Sequence, residues 1–401
     1  MGAFPIRLKE AQMVKRRTFL VTLCTLFLLP FCATAQNADN VQFLPVSDWQ
    51  KMQEKQNPSS VFAAAVFKVF YAALKGINDK YIKPVSFAEL IVSGLNELDT
   101  VDPSLVTTPE ANSIVILHES TPLISMPFSP KDGPEKWART LTSAILAIRE
   151  KSPKAALISQ EDLYKIIFGG MLAKLDENSK YFSKSEALEK KANHHGLATE
   201  NGIIAKSNTK FAFLEDDIAL ITISSFDSNT EEIVENILGN LYKNTKGIII
   251  DLSGSNGGIL SEAADVADLF LSQGTLFKVR GRTPAANKTY QADEKMLYRG
   301  PVAIIIDHNT KSSSEVFAMA MQEGKRAIII GETSFGKGTS QTPITLPNGG
   351  EIMLSWGYIY SGKDVPLNGQ GVTPDIALAA PSPDILHQKS LNQAIKWLDE
   401  P

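Results

Sequence analysis

Cysteine is nearly absent. The 401-residue chain has two, Cys24 and Cys32, and both lie in an N-terminal apolar stretch. With that stretch removed no thiol is left, which excludes disulfides, a cysteine nucleophile and a cysteine-ligated metal in the remainder. Histidine is scarce too, at five residues. The one adjacent pair, His194-His195, has no third ligand at metal-site spacing and reads as loop histidines. Neither sign of charge is in large excess. The formal net charge is −4, and loss of residues 1–35 would take five basic residues and one acidic one, leaving −8. That balance argues against nucleic acid or an anionic membrane surface as a partner. The N-terminal apolar run, Phe19 to Phe31, also falls short of the roughly 20 residues a membrane span needs.

What the N-terminus does carry is a secretory pattern: Lys15, Arg16 and Arg17, the apolar run, then Ala33-Thr34-Ala35 as a small-x-small cleavage site. Arg16-Arg17 before Thr18-Phe19-Leu20 resembles a twin-arginine signal, but so apolar a run favours the general secretory route. Leu29-Pro30-Phe31 before Cys32 lacks the small residues of a lipid-attachment signal. The expectation is a periplasmic or secreted protein without stable membrane insertion after cleavage; a retained anchor is the alternative. Residues 1–12 read as a misassigned start, with Met13 as the first residue.

The remainder has ordinary globular composition, 43% hydrophobic and 21% charged, and length for two or three domains. Residues 36–182 are mostly helical by periodicity: 61–77, 87–98, 140–148 and 161–175 repeat apolar residues at three and four. Residues 113–126 read as a strand or hairpin. The segments Ala88–Ser104 and Asp162–Ser179 resemble each other, which suggests an internal duplication. Residues 183–210 are polar without sustained periodicity and read as a linker. From 211 to 380, apolar strands alternate with amphipathic helices, the α/β pattern; a last helix occupies 381–401.

The chemistry-bearing stretch is Thr310 to Gln341. A buried strand (Val302 to Ile306) leads into SSSE and a helix, and Ser312 with Glu315 fits the S-x-x-E capping box. A second strand through Ile330 leads to GETSFGKGTSQ, where Lys337 sits between two glycines that leave its amine free to approach another loop. Upstream, the strand GIIIDL (247–252) ends in the glycine turn SGSNGG (253–258). No Lys or Ser/Thr follows that turn in P-loop register.

These residues resemble the carboxyl-terminal processing peptidases, tail-specific serine proteases of family S41. A serine stands three residues before a glutamate, a lysine 25 residues after the serine, and a glutamine four after the lysine: Ser312, Glu315, Lys337 and Gln341. GMLAKLDENSKYF (170–182) matches the family's helical motif, with Glu177 where proline is usual, and SGKDVPLNGQGVTPDI (361–376) matches its closing motif. Three departures stand out. Lys311 and Ser313 replace small alanines, Ser253 replaces the arginine of the glycine turn, and 183–210 is too short for the family's PDZ domain.

The resemblance implies a Clp/crotonase-like α/β S41 peptidase core behind a mostly helical N-terminal region, without a PDZ domain. It implies a Ser312–Lys337 dyad hydrolysing peptide bonds, with Gln341 orienting the amine and the Gly258 and Ser313 amides holding the oxyanion. No metal or cofactor is implied. The partners expected are protein or peptide substrates, with an adaptor or homo-oligomer left open. For lysine to act as base its pKa must fall well below about 10.4, which burial achieves. His308, four residues before Ser312, lies too close in sequence to face its hydroxyl as a triad histidine. The rival readings are a catalytically idle binding or scaffold protein on the same fold, and an acyl-CoA enzyme of crotonase type, which would use the glycine turn but not the dyad.

Overall fold

The computed structural model describes residues 58–195, 208–214, 217–293 and 295–400. The signal sequence expected at 1–35, with both cysteines, lies outside them, as do residues 196–207 and the side chains of His194 and His195.

The N-terminal region opens with α1 (Pro58–Lys80), whose Val66, Val69, Phe70, Ala73, Leu74 and Ile77 recur at three and four and are all at most 2% exposed. By length and apolarity Ser59–Lys80 is able to cross a membrane; in the fold this stripe forms the core. Next come α2 (Phe87–Asn96), β1 (Leu105–Pro109), β2 (Ser113–His118), β3 (Thr121–Pro127), α3 (Pro134–Lys151), α4 (Pro153–Leu157) and α5 (Gln160–Ala173). The hairpin expected at 113–126 is two strands of a three-stranded antiparallel sheet, β1-β2-β3. Its Ile114, Ile116 and Met126 are buried in the helical core.

The similar segments 88–104 and 162–179 meet at their glycines. A Cβ on Gly94 would lie 2.6 Å from Met171 Cγ, and one on Gly170 2.3 Å from Ser93 O. Both helices need a residue without a side chain where α2 and α5 cross.

After α5 the chain forms β4 (Lys180–Phe182) and α6 (Lys184–His195). The start of the expected linker is therefore helix. Ser183 opens α6 with a reciprocal box: its N–H donates to Glu186 Oε2 at 2.7 Å, and the Glu186 N–H donates to Ser183 Oγ at 3.4 Å.

The core begins with β5 (Thr209–Phe213), β6 (Ile218–Ile223), α7 (Thr230–Gly239), β7 (Gly247–Asp251) and α8 (Leu260–Asp268). It continues with β8 (Thr275–Gly281), β9 (Lys288–Gln291), β10 (Val302–Ile306), α9 (Ser313–Glu323) and β11 (Ile328–Gly331). The last elements are β12 (Thr339–Thr345), β13 (Glu351–Ser361), β14 (Ile376–Ala377) and α10 (Pro383–Asp399). One sheet has the order β14-β11-β10-β7-β6-β5, parallel throughout except for β5. Every residue of β7 and β10 is buried, as strands covered on both faces require. A second, antiparallel sheet runs β12-β13-β8-β9, and β4 of the helical region pairs with β13, Tyr181 opposite Ile352. The result is an α/β core with a helical N-terminal region, as the resemblance implies.

Candidate active site

Strands β7, β10 and β11 lie side by side and run parallel, so their C-terminal ends open on one edge of the sheet. Three loops leave from those ends: the glycine turn after Asp251, the Ser312 loop after Ile306, and the Lys337 loop after Gly331. Parallel sheets collect their sites at such edges.

Ser312 ends its loop as the N-cap of α9 with φ 57° and ψ −124°, a backbone geometry that a side chain rarely adopts. What holds it there is Glu315. Its Oε2 accepts the Ser312 N–H at 2.7 Å, while the Ser312 hydroxyl lies in the outline of a capping box without making a cap hydrogen bond. The Glu315 side chain has no solvent exposure and does more than cap. Its Oε1 accepts Ser334 Oγ and the Gly336 N–H, each at 2.6 Å, and Oε2 also accepts the Lys337 N–H at 2.9 Å. One buried carboxylate thus fastens the Ser312 loop to the Lys337 loop. The S-x-x-E spacing signals the cap, but nothing local signals the second loop.

The glycines around Lys337 have a different reason from the one expected. A Cβ on Gly338 would fall 2.1 Å from Asn368 N, and one on Gly336 3.1 Å from Gly371 N. They admit the backbone of the closing segment, which also bonds the loop through Gly369 N–H to Gly336 O at 2.8 Å and Val372 N–H to Ser334 Oγ at 2.7 Å. The Lys337 side chain is partly buried, and burial is the main cause of a pKa below the ordinary lysine value. Lys180 and Lys311 push it lower still, while Glu177 and Glu315 oppose them. The nearest acid in sequence, Glu332, instead meets His308 Nδ1 at 3.3 Å on the exposed surface.

Lys180 and Glu177 come from the GMLAKLDENSKYF motif. Asp176 holds that turn by accepting the Asn178 and Ser179 N–H groups at 2.8 and 2.7 Å. It ties the turn to β13 through Ser355 Oγ at 3.1 Å. Gln341 lies on β12 and donates to Thr339 Oγ1 at 2.8 Å and Thr339 O at 3.0 Å. Among the described residues no hydrogen bond joins it to the Lys337 amine, so the orientation expected of it is not made here.

The glycine turn is seated against the Ser312 loop. Lys311 N–H donates to Ser255 O at 3.0 Å, Ser255 Oγ meets Ser314 Oγ at 2.7 Å, and Gly254 N–H donates to Asp307 Oδ1 at 3.0 Å. Gly257 has φ +86°, and a Cβ there would stand 2.8 Å from Ser312 Cβ and 2.9 Å from Ser313 N. Gly258, at φ +136°, presses on the Phe226 backbone, where a Cβ would lie 2.3 Å from Phe226 O. The Gly258 and Ser313 amides find no acceptor among the described residues. Ser313, one of the departures, joins the two loops by donating Oγ–H to Gly258 O at 3.0 Å. Lys311, the other, lays its ammonium 5.2 Å from the centre of the Phe335 ring.

Beside the turn opens a cavity of about 480 Å³, bordered by Ile259, Leu260, Gln341 and Trp356. Among the described residues no cluster of His, Cys, Asp or Glu has the arrangement of a metal site.

Comparison with known proteins gives this edge its context. Residues 217–378 match the model of peptidase family S41. A carboxy-terminal-processing protease of Bartonella bacilliformis is 32% identical over 179 residues, 43% of this chain and 41% of the relative. A tail-specific protease of Haemophilus influenzae is 36% identical over 126 residues, 31% of this chain and 18% of the relative. The match thus spans less than half the length of either relative. Among solved structures, a photosystem II D1 C-terminal processing protease superposes with a TM-score of 0.50 at 15% identity, covering 80% of this chain and 94% of that one. At that identity the likeness is one of fold. The glycine turn, the Ser312 loop and the Lys337 loop all fall inside residues 217–378, and those residues form a domain of peptidase family S41.

Proposed function

We propose that the protein is an exported serine endopeptidase that cuts protein substrates, near their C-termini, with Ser312 as nucleophile and Lys337 as general base. The observation that carries the reading is the single carboxylate of Glu315, which binds the backbone of both residues while burial keeps the Lys337 amine below its ordinary pKa. In the first step the neutral amine takes the Ser312 hydroxyl proton as Oγ attacks the scissile carbonyl carbon. The oxygen that becomes anionic meets the Gly258 and Ser313 N–H groups, each worth about 3–4 kcal/mol in the transition state. The ammonium returns the proton to the leaving amine, giving an acyl-enzyme. Water then attacks this ester, Lys337 takes its proton, and transfer back to Oγ releases the acid. Gln341 is kept as a residue of the site wall, two positions after its partner Thr339.

Export rests on the basic, apolar and small-x-small succession at 15–35. The short segment 183–210 in place of a PDZ domain leaves C-terminal recognition to other parts of the chain or to an adaptor. A fluorophosphonate serine-hydrolase probe tests the reading: it labels the wild type and fails to label Ser312→Ala, while an unfolded protein substrate is degraded only by the former. Absence of labelling in both, with no degradation, is the result that favours an idle binding protein.

A further inference from the structure

The cavity beside the glycine turn has an uneven lining. Its apolar part includes Ile259 and Leu260, which directly follow Gly258, together with Trp356. Its charged part is Lys80, Arg282 and Lys288, all exposed, against one carboxylate, Asp79. Asp79 already has a partner, since Lys75 Nζ sits 2.5 Å from it. Among the described residues none of the three cations forms an ion pair with a carboxylate. Arg282 Nη2 donates to the backbone oxygen of Asn78 at 2.5 Å, and the Lys288 ammonium lies 5.3 Å from the centre of the Trp356 ring.

Three cations border this cavity against one carboxylate, so an anion placed there meets a net positive lining. The volume is that of a ligand pocket. Its position fixes which ligand reaches it. Its lining includes Ile259, the residue after Gly258, together with Ser340 and Gln341, three and four residues after Lys337. A chain whose carbonyl sits at the Gly258 amide therefore has its neighbouring residues in this cavity.

We propose that the cavity binds a substrate carboxylate adjoining an apolar residue, the side chain against Ile259, Leu260 and Trp356 and the carboxylate against Arg282 and Lys288. Arginine receives a carboxylate through two parallel N–H groups, and lysine adds a point charge. The carboxylate belongs either to the chain terminus or to an acidic side chain. The assignment rests on the Ser312–Lys337 reading, because that reading makes the cavity a substrate site.

Binding to Ser312→Ala tests it without turnover. Three labelled peptides of one sequence are compared: ending in leucine as the free acid, ending in leucine amide, and ending in leucyl-glutamate with its terminus amidated. The free acid should bind about tenfold more tightly than the leucine amide. The glutamyl amide tells terminus from side chain: affinity like the free acid means any carboxylate serves, affinity like the leucine amide means the terminus is read. Arg282→Gln with Lys288→Gln should bring the acid-to-amide ratio within about twofold, and Lys288→Arg should retain it. A thermal melt on each variant shows that the fold is kept. Equal binding of acid and amide, or a ratio indifferent to both substitutions, overturns the proposal. Degradation of an unfolded protein by wild type and Ser312→Ala is measured on the same preparations. Ser312-dependent degradation with a ratio of one sinks this inference alone, whereas degradation independent of Ser312 sinks the reading beneath it.

Discussion

The N–H groups of Ser312 and Lys337 share one acceptor, Oε2 of Glu315, at 2.7 and 2.9 Å. Two loops that leave neighbouring strands, 25 residues apart in the chain, are set against each other by that single oxygen. Glu315→Gln keeps the volume but turns an NH2 toward donors, and Glu315→Ala leaves four donors without an acceptor. Both should lose activity by more than about 10²-fold, and the alanine should also lose about 3 kcal/mol of stability. Denaturant unfolding alongside proteolysis separates the two effects; a Gln variant with near wild-type activity would show that the shared oxygen does not set the site.

Ser312→Ala and Lys337→Ala should each reduce proteolysis by a factor on the order of 10³ or more, and together by little further, as groups acting in one step do. Lys337→Arg should be equally inactive, because guanidinium stays protonated and cannot serve as base. Retention of a tenth of the wild-type rate by any of them contradicts the dyad. A chelator should leave the rate unchanged, since no step is assigned to a metal.

Activity should rise with pH as Lys337 loses its proton, and the depressed pKa brings that rise below the range of an ordinary lysine. Lys180 and Lys311 help to depress it, so Lys180→Gln should move the limb to higher pH. The shift should shrink with added salt, because Lys180 is exposed. For stability the sign is opposite in sense to a salt-bridged lysine. The unfolded chain holds this proton more tightly than the folded one, so Lys337 costs stability fully below its folded pKa. The cost disappears as pH rises through the ordinary value. Lys337→Met should therefore melt no lower than wild type at neutral pH, with the difference closing near pH ~10.5. A pH profile unmoved by Lys180→Gln contradicts this account.

Gly257→Ala places a methyl 2.7 Å from Lys311 O and 2.8 Å from Ser312 Cβ, at φ +86°. Backbone strain adds about 1–2 kcal/mol, and the displaced Ser312 loop should lower activity about 10²-fold. Gly254, also at positive φ but with open space around it, serves as the control. Gly254→Ala should show the strain in a melt and little of the catalytic loss, and equal activity losses at both would count against the packing argument.

Much of this was legible because it is local. The stripe of α1, the Ile-rich strands and the Ser312–Glu315–Lys337–Gln341 spacing are properties of short windows. Helix α6 was legible too, through Ser183 and Glu186, the same S-x-x-E pattern recognised at Ser312, but its polar composition reads as linker. The rest depends on chain brought from afar. The second role of Glu315, the backbone that Gly336 and Gly338 admit, and the pressure of Lys180 on Lys337 all arise from contacts between separate loops. No window of sequence contains them.

Strand β4 has a consequence for where this protein can be cut. It lends three residues to the edge of β13, and Ile344, Ile352 and Leu354 of the antiparallel sheet, with Leu346 of its hairpin turn, are buried in the same cluster as Phe70, Ile91 and Phe168 of the helices. The stretch recognisable as a peptidase domain is therefore not a folding unit. A truncation starting at residue 208 would bare an apolar sheet face and an unpaired strand, the surfaces on which chains aggregate. The stretch that matches the family model and the unit that folds have different borders.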